Sequence, residues 1–156
     1  MQGTRIGTRP DSDARREMMA VLAHAPSSRL AGLWRDAGFD AAAEPVRGPE
    51  TGLVTVRGRI GGGGAPFNVG EATVTRATVR LAGGEVGHSY ALGRDADKAR
   101  IAATIDALWQ KPELRPRLED LILAPLRREH DANAVRRAAE VAATKVDFFT
   151  MVRGED

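Results

Sequence analysis

Val69-Gly70-Glu71-Ala72-Thr73-Val74-Thr75-Arg76-Ala77-Thr78-Val79-Arg80-Leu81 runs straight into Ala82-Gly83-Gly84-Glu85 and then Val86-Gly87-His88-Ser89-Tyr90-Ala91-Leu92. The first piece is rich in β-branched side chains, which suit a pleated, half-buried surface. The Ala-Gly-Gly-Glu piece supplies the backbone freedom of a hairpin turn. In the third piece Val86, His88, Tyr90 and Leu92 alternate with Gly87, Ser89 and Ala91. That spacing predicts a strand with the larger residues, His88 among them, on one apolar face. In the first piece the apolar positions slip phase between Val74 and Val79, which predicts a bulge or bend there.

Upstream, Val54, Val56 and Ile60 alternate with Thr55, Arg57 and Arg59, the mark of a half-buried strand. Gly61–Gly64 with Pro66 then reads as a flexible connection. The centre of the chain is thus predicted to be an antiparallel meander of three main strands.

The flanks change period. From Ser12 or Asp13, Met18, Val21, Leu22 and Ala25 recur at helical spacing until Pro26. Ser27 or Ser28 can cap a second helix carrying Leu30, Leu33 and Trp34, with Gly38 as a left-handed stop. After the meander, Asp95 is a good N-cap for a helix burying Ile101, Ile105, Leu108 and Trp109. A shorter helix with Leu114, Leu118, Leu121 and Ile122 is expected to end near Pro125, and a longer one to run from Arg127 to Thr144. Helices, then strands, then helices make an α+β fold: an N-terminal helical hairpin, a central antiparallel β-meander, and C-terminal helices with a final extended segment. One domain over residues 1–156 is expected, with residues 1–11 a flexible tail.

Composition excludes several functions. The chain has 156 residues and no cysteine, so it offers no disulfide, no thiol nucleophile and no thiolate for an iron–sulfur cluster. The N-terminus has no apolar signal core, and no apolar run approaches the ~18–20 residues of a membrane span. A cytoplasmic protein is expected. The net charge is only +2 although the isoelectric point is about 9.5. A general nucleic-acid coat wants a clearly basic face.

Candidate chemistry is sparse. Gly61–Gly64 lacks the Gly-Lys-Ser/Thr ending of a P-loop and is followed by Phe67 and a strand rather than a helix. Arg57 and Arg59 share one face of their strand, as do Arg76 and Arg80 of theirs. If those faces coincide they form a cationic surface for phosphate or carboxylate; otherwise they are solvated and pair across strands with residues such as Glu71 and Glu85. A nucleotide- or nucleic-acid-binding module built on these arginines is the alternative function. His24, His88 and His130 are far apart in sequence, and no pair has metal-ligand spacing, so no metal site is expected. His88 is the sole candidate for a catalytic or ligand-contacting histidine. In the run Lys145-Val146-Asp147-Phe148-Phe149-Thr150-Met151-Val152-Arg153-Gly154 both faces of an extended segment are apolar. Residues 146–156 are therefore a candidate partner-docking terminus, with Phe148, Phe149 and Met151 as anchors and Asp147 and Arg153 setting register. Left uncovered, that end predicts self-association of the isolated chain.

Several motifs carry a resemblance: Met19-Ala20-Val21-Leu22-Ala23-His24-Ala25, Glu50-Thr51-Gly52-Leu53-Val54, Phe67-Asn68-Val69-Gly70-Glu71-Ala72-Thr73-Val74-Thr75-Arg76, Gly87-His88-Ser89-Tyr90-Ala91-Leu92-Gly93-Arg94-Asp95 and the closing Val146–Gly154. With them the chain resembles the G-subunit family of the bacterial phosphonate carbon–phosphorus lyase system. Residues 1–12 and about 110–135 carry little of the pattern. The resemblance implies an accessory subunit of a core complex with the H, I and J subunits, assisted by the L protein. That complex moves an alkylphosphonate, such as methylphosphonate, onto C1 of the ribose of MgATP with release of adenine, in phosphonate breakdown under phosphate starvation. It implies a transferase that is inactive as an isolated chain. The iron–sulfur cluster and S-adenosylmethionine belong to the J subunit, this chain binds no cofactor of its own, and no catalytic residue of the family carries over to it.

Overall fold

The computed structural model describes residues 10–61 and 63–144, and within them helices come first, then a sheet, then helices. The fold is α+β, as the sequence predicts. The terminus at 146–156, with its anchors, lies outside the described residues.

Helix α1 spans Pro10–His24 and α2 spans Ser27–Ala37. Proline suits the start of a helix, where its missing N–H has no partner to lose. Asp11 and Asp13 complement the positive end of the dipole. Residue 11, counted with the expected tail, belongs to this helix: Asp11 accepts a hydrogen bond from Arg115 Nη1 at 2.6 Å. Neither serine caps α2. Pro26 holds the cap position without a side-chain bond, and Ser27 hydrogen-bonds Asp95 instead. Gly38 ends α2 at φ 58°, ψ 40°, a left-handed conformation that glycine adopts without a Cβ clash.

The sheet comprises β1 (Ala43–Gly58), β2 (Phe67–Leu81) and β3 (Val86–Leu92), antiparallel in the order β1-β2-β3. The turn after β2 closes with Leu81 N–H donating to Glu85 O and Gly84 N–H to Leu81 O, both at 2.9 Å. β1 starts well before the predicted strand and is exposed along almost its whole length, not half-buried. Pro45, Gly48 and Pro49 hide its first half from pattern reading. An edge strand tolerates them, and its register shifts at Pro45/Arg47 and Arg47/Glu50 absorb them.

The irregularity expected within β2 lies instead on β1, opposite it. β2 keeps an unbroken register with β3 from Val74↔Leu92 to Arg80↔Val86. Thr75, Ala77, Val79 and Leu81 all point inward and are buried. The phase slip vanishes once Thr75 takes an inward slot. Its hydroxyl donates to Gly93 O at 2.7 Å and lies 3.0 Å from the Thr51 hydroxyl, so the buried polar group is satisfied.

β3 faces the opposite way from the sequence expectation. Gly87, Ser89 and Ala91 are buried, while His88, Tyr90 and Leu92 face outward. The cause is α3 (Ala96–Trp109), which presses directly on the sheet. A Cβ on Gly87 would lie 2.0 Å from Ala103 O and 2.5 Å from Ala107 N. Only small side chains fit under so close a helix. Ser89 donates to Ala99 O at 2.6 Å.

α3 begins as predicted at Asp95, whose side chain accepts from Lys98 N–H at 2.8 Å. Ile101, Ile105, Leu108 and Trp109 are buried, but so is nearly everything else from Lys98 to Trp109. The helix is enclosed on all sides, as an apolar helix must be. Lys98 reaches the end of α1 and donates to Ala23 O at 2.8 Å. Burial, only partly offset by Asp95, holds its ammonium pKa below the ordinary lysine range.

The last helices differ from the expected pair. A 3₁₀ turn at Pro112–Leu114 leads into α4 (Arg115–Leu118), a π turn at Glu119–Leu123, and α5 (Ala124–Ala143) without a break. Pro125 does not end the helix. The π turn shifts the hydrogen bonding, with Ala124 N–H donating to Glu119 O, so proline falls in the first turn of α5 where its missing donor costs little. Leu118, Ile122, Leu123 and Leu126 join Met18, Leu22, Leu30 and α3 in one core. Beyond Leu126, α5 is largely exposed.

Candidate interaction site on the open sheet face

Because α3 covers one side of the sheet, the other side is left open. Register aligns three rows across it: Arg47–Thr78–His88, Glu50–Arg76–Tyr90 and Gly52–Val74–Leu92. Glu50 sits between two guanidiniums. Arg76 donates to its Oε2 from Nη2 at 3.0 Å, and Arg47 donates to its Oε1 from Nε at 3.0 Å. Hydrogen bonding from Arg76, with help from Arg47, holds the Glu50 carboxyl below its ordinary pKa. The Arg76 guanidinium is correspondingly raised, first by Glu50 and then by Tyr90. These groups are exposed, so the pairs fix side-chain positions more than they stabilise the fold. Glu50, Thr51, Gly52, Leu53, Val74, Arg76 and neighbours line a depression of about 150 Å³.

The four candidate arginines are not one cationic surface. Arg76 and Arg80 lie on the open face near the body. Arg57 pairs with Asn68 at the far end of the β1–β2 ribbon, and Arg59 lies beyond β1. Seven residues separate Arg57 from Glu50, the partner of Arg76, which is roughly 20 Å at ~3.3 Å per residue. The expected acidic partners also differ: Glu85 pairs with Lys111 at 3.5 Å, while Glu71 sits opposite Thr55. Glu50 was invisible as a partner because the prolines around it concealed that it belongs to a strand.

His88 shares its face of β3 with Val86, Tyr90 and Leu92 as expected, but that face is turned to solvent. Its Nδ1 lies 3.2 Å from the Thr78 hydroxyl. Among the described residues no carboxylate bonds the ring in the way a catalytic triad's acid orients its histidine. Its backbone matters more. His88 N–H donates at 2.8 Å to Asp106 Oδ2, a fully buried carboxylate that also receives Arg15 Nε and Nη2, both at 2.7 Å. Asp106 thereby ties α1, α3 and the outer edge of β3 together. Its signal in the sequence is a lone acid in Ile101–Trp109, a stretch otherwise apolar or small.

The structure also joins two histidines that the sequence keeps apart. The rings of His24 and His130 are 5.8 Å apart, in a groove of about 630 Å³ between the α1–α2 corner and α5. His24 Nδ1 donates to Ala20 O at 2.8 Å. Nearby charges are mostly paired: Arg29 with Glu129, Arg127 with Glu119, Arg136 with Glu140. Among the described residues no cluster of His, Cys, Asp or Glu could hold a metal ion. No described helix is long and apolar enough to cross a membrane.

With polar rows on a shallow face and no enclosed catalytic set among the described residues, the geometry suits binding. Comparison with known proteins then decides the family. Residues 13–154 match the family described as phosphonate metabolism protein PhnG. The chain belongs to that family. A relative from Rhizobium meliloti (strain 1021) is 56% identical over 145 residues, covering 91% of this chain and 90% of its own length. It is named alpha-D-ribose 1-methylphosphonate 5-triphosphate synthase subunit PhnG. The match takes in the open face and the ribbon, and the family resemblance seen in the sequence motifs holds over nearly the whole chain.

Proposed function

We propose that this chain is an accessory subunit of an enzyme assembly that joins an alkylphosphonate to C1 of the ribose of MgATP and releases adenine. The 56% identity to a named synthase subunit, over nine-tenths of both chains, carries the reading. Two structural facts support it. The open sheet face is shallow, and Arg47 and Arg76 on it are already paired with Glu50. Among the described residues, the ring of His88 on that face meets the Thr78 hydroxyl and no carboxylate. Such a surface can position a neighbour but is poorly equipped to move protons in a water-excluded site. The natural partners are the H, I and J subunits with the L protein. MgATP is then the substrate of the whole assembly, and redox cofactors reside on another subunit.

Co-expression with those subunits tests this. Adenine release from MgATP and methylphosphonate is expected only when this chain is present, and none is expected from the chain alone. Full activity of the other subunits in its absence would overturn the reading.

A further inference from the structure

β3 ends opposite Val74. Beyond Thr73, whose carbonyl accepts from Gly93 N–H at 2.9 Å, β1 is the only strand beside β2 among the described residues, and the pair continues as a two-stranded arm, Leu53–Gly58 against Phe67–Thr73. The paired part is about 20 Å long at ~3.3 Å per residue. Its side chains do not suit water. Leu53 is 63% exposed, Val56 43%, Ile60 77%, Phe67 44% and Val69 61%. An isolated ribbon of two strands is marginal in water, and this many large apolar side chains exposed on one short arm mark a contact.

The arm also has an unguarded edge. Pro45, Gly48 and Pro49 protect the base of β1, whereas Glu50–Gly58 contains no proline or lysine. Its outward backbone groups are free to pair among the described residues. α5 also exposes Val135 and Val141, but a single helix satisfies its own backbone. The arm is the more demanding surface.

Charge indicates the occupant. Arg57 and Arg59 have no partner among the described residues, while most arginines of the body are in ion pairs. Glu71 is the arm's single acid. Two arms packed together would crowd four guanidiniums, whereas a carboxylate-bearing partner would satisfy them bidentately. We propose that the β1–β2 arm seats in an apolar cleft of another subunit, with carboxylates at the cleft's rim facing Arg57 and Arg59. This rests on the functional reading above.

The test uses the full chain co-expressed with the other subunits. Amides of 53–58 and 67–73 are expected to exchange hydrogen at least tenfold more slowly in the assembly than in the lone chain. The pair Leu53→Asp with Val69→Asp is expected to lower co-purification at least tenfold, with circular dichroism and melting of the lone chain unchanged. Arg57→Glu with Arg59→Glu, which leaves the apolar surface intact, is expected to weaken assembly and reduce its salt dependence. Normal assembly of both variants, with no added protection of the arm, overturns the proposal while leaving the functional reading standing. Failure of the unaltered chain to join any subunit overturns the functional reading itself. A lone chain that sediments as a dimer with a protected arm assigns the arm to a second copy, and that too overturns the proposal.

Discussion

β2 passes through two environments. From Val74 to Leu81 it lies between two strands with α3 against one face, and its inward residues are buried. From Phe67 to Thr73, among the described residues, it has one neighbouring strand and little cover. Yet β-branched residues run through both parts, Val69 and Thr73 in the outer one and Val74, Thr75, Thr78 and Val79 in the covered one. One strand therefore shows what composition does and does not decide. It selects the extended backbone; the neighbouring element decides whether the side chains stabilise the fold or remain available for another protein.

The sharpest way to break that contrast is to disturb the covered half. Gly87→Ala would drive a Cβ into the backbone of α3 at two points. Neither backbone can yield without displacing the core, so a loss of about 3 kcal/mol or more is expected, measured by urea denaturation. A smaller loss, about 2–3 kcal/mol, is expected for Asp106→Ala. That change strands Arg15 and leaves His88 N–H without its buried acceptor. The exposed side of Arg15 lets water recover part of the cost. Val69→Thr in the arm should change stability by no more than about 0.5 kcal/mol. A large loss there would mean that the arm belongs to the core, and the contrast would collapse.

Much of this architecture was legible in the sequence. Element order, the hairpin turn, the Asp95 cap and the Gly38 stop all follow from local chemistry, which acts within a few residues. What was not legible depends on distance between elements. The orientation of β3 is hidden because larger residues normally point inward, and nothing local reveals that α3 lies too close for them. Pro45, Gly48 and Pro49 argue against a strand unless one knows it to be an edge. Pro125 argues against a continuous helix unless the preceding turn is π. In the candidate site, His88, Arg76 and Arg80 share the open face, but Arg57 and Arg59 lie at the end of the ribbon. Glu50, which organises that face, and Asp106, which anchors its edge, emerge only from pairing across elements.

The π turn at Glu119–Leu123 has a consequence for how the family can vary. It acts as a phase adjuster, holding one residue more than an α-helical turn would need. Deleting that one residue would restore an ordinary helix and leave everything downstream in phase. Glu129 would still meet Arg29, and His130 His24. The same deletion within the regular part of α5 would instead rotate everything after it by about 100°, so the π turn is the place in this helix where a change of chain length spares the direction of its outer faces.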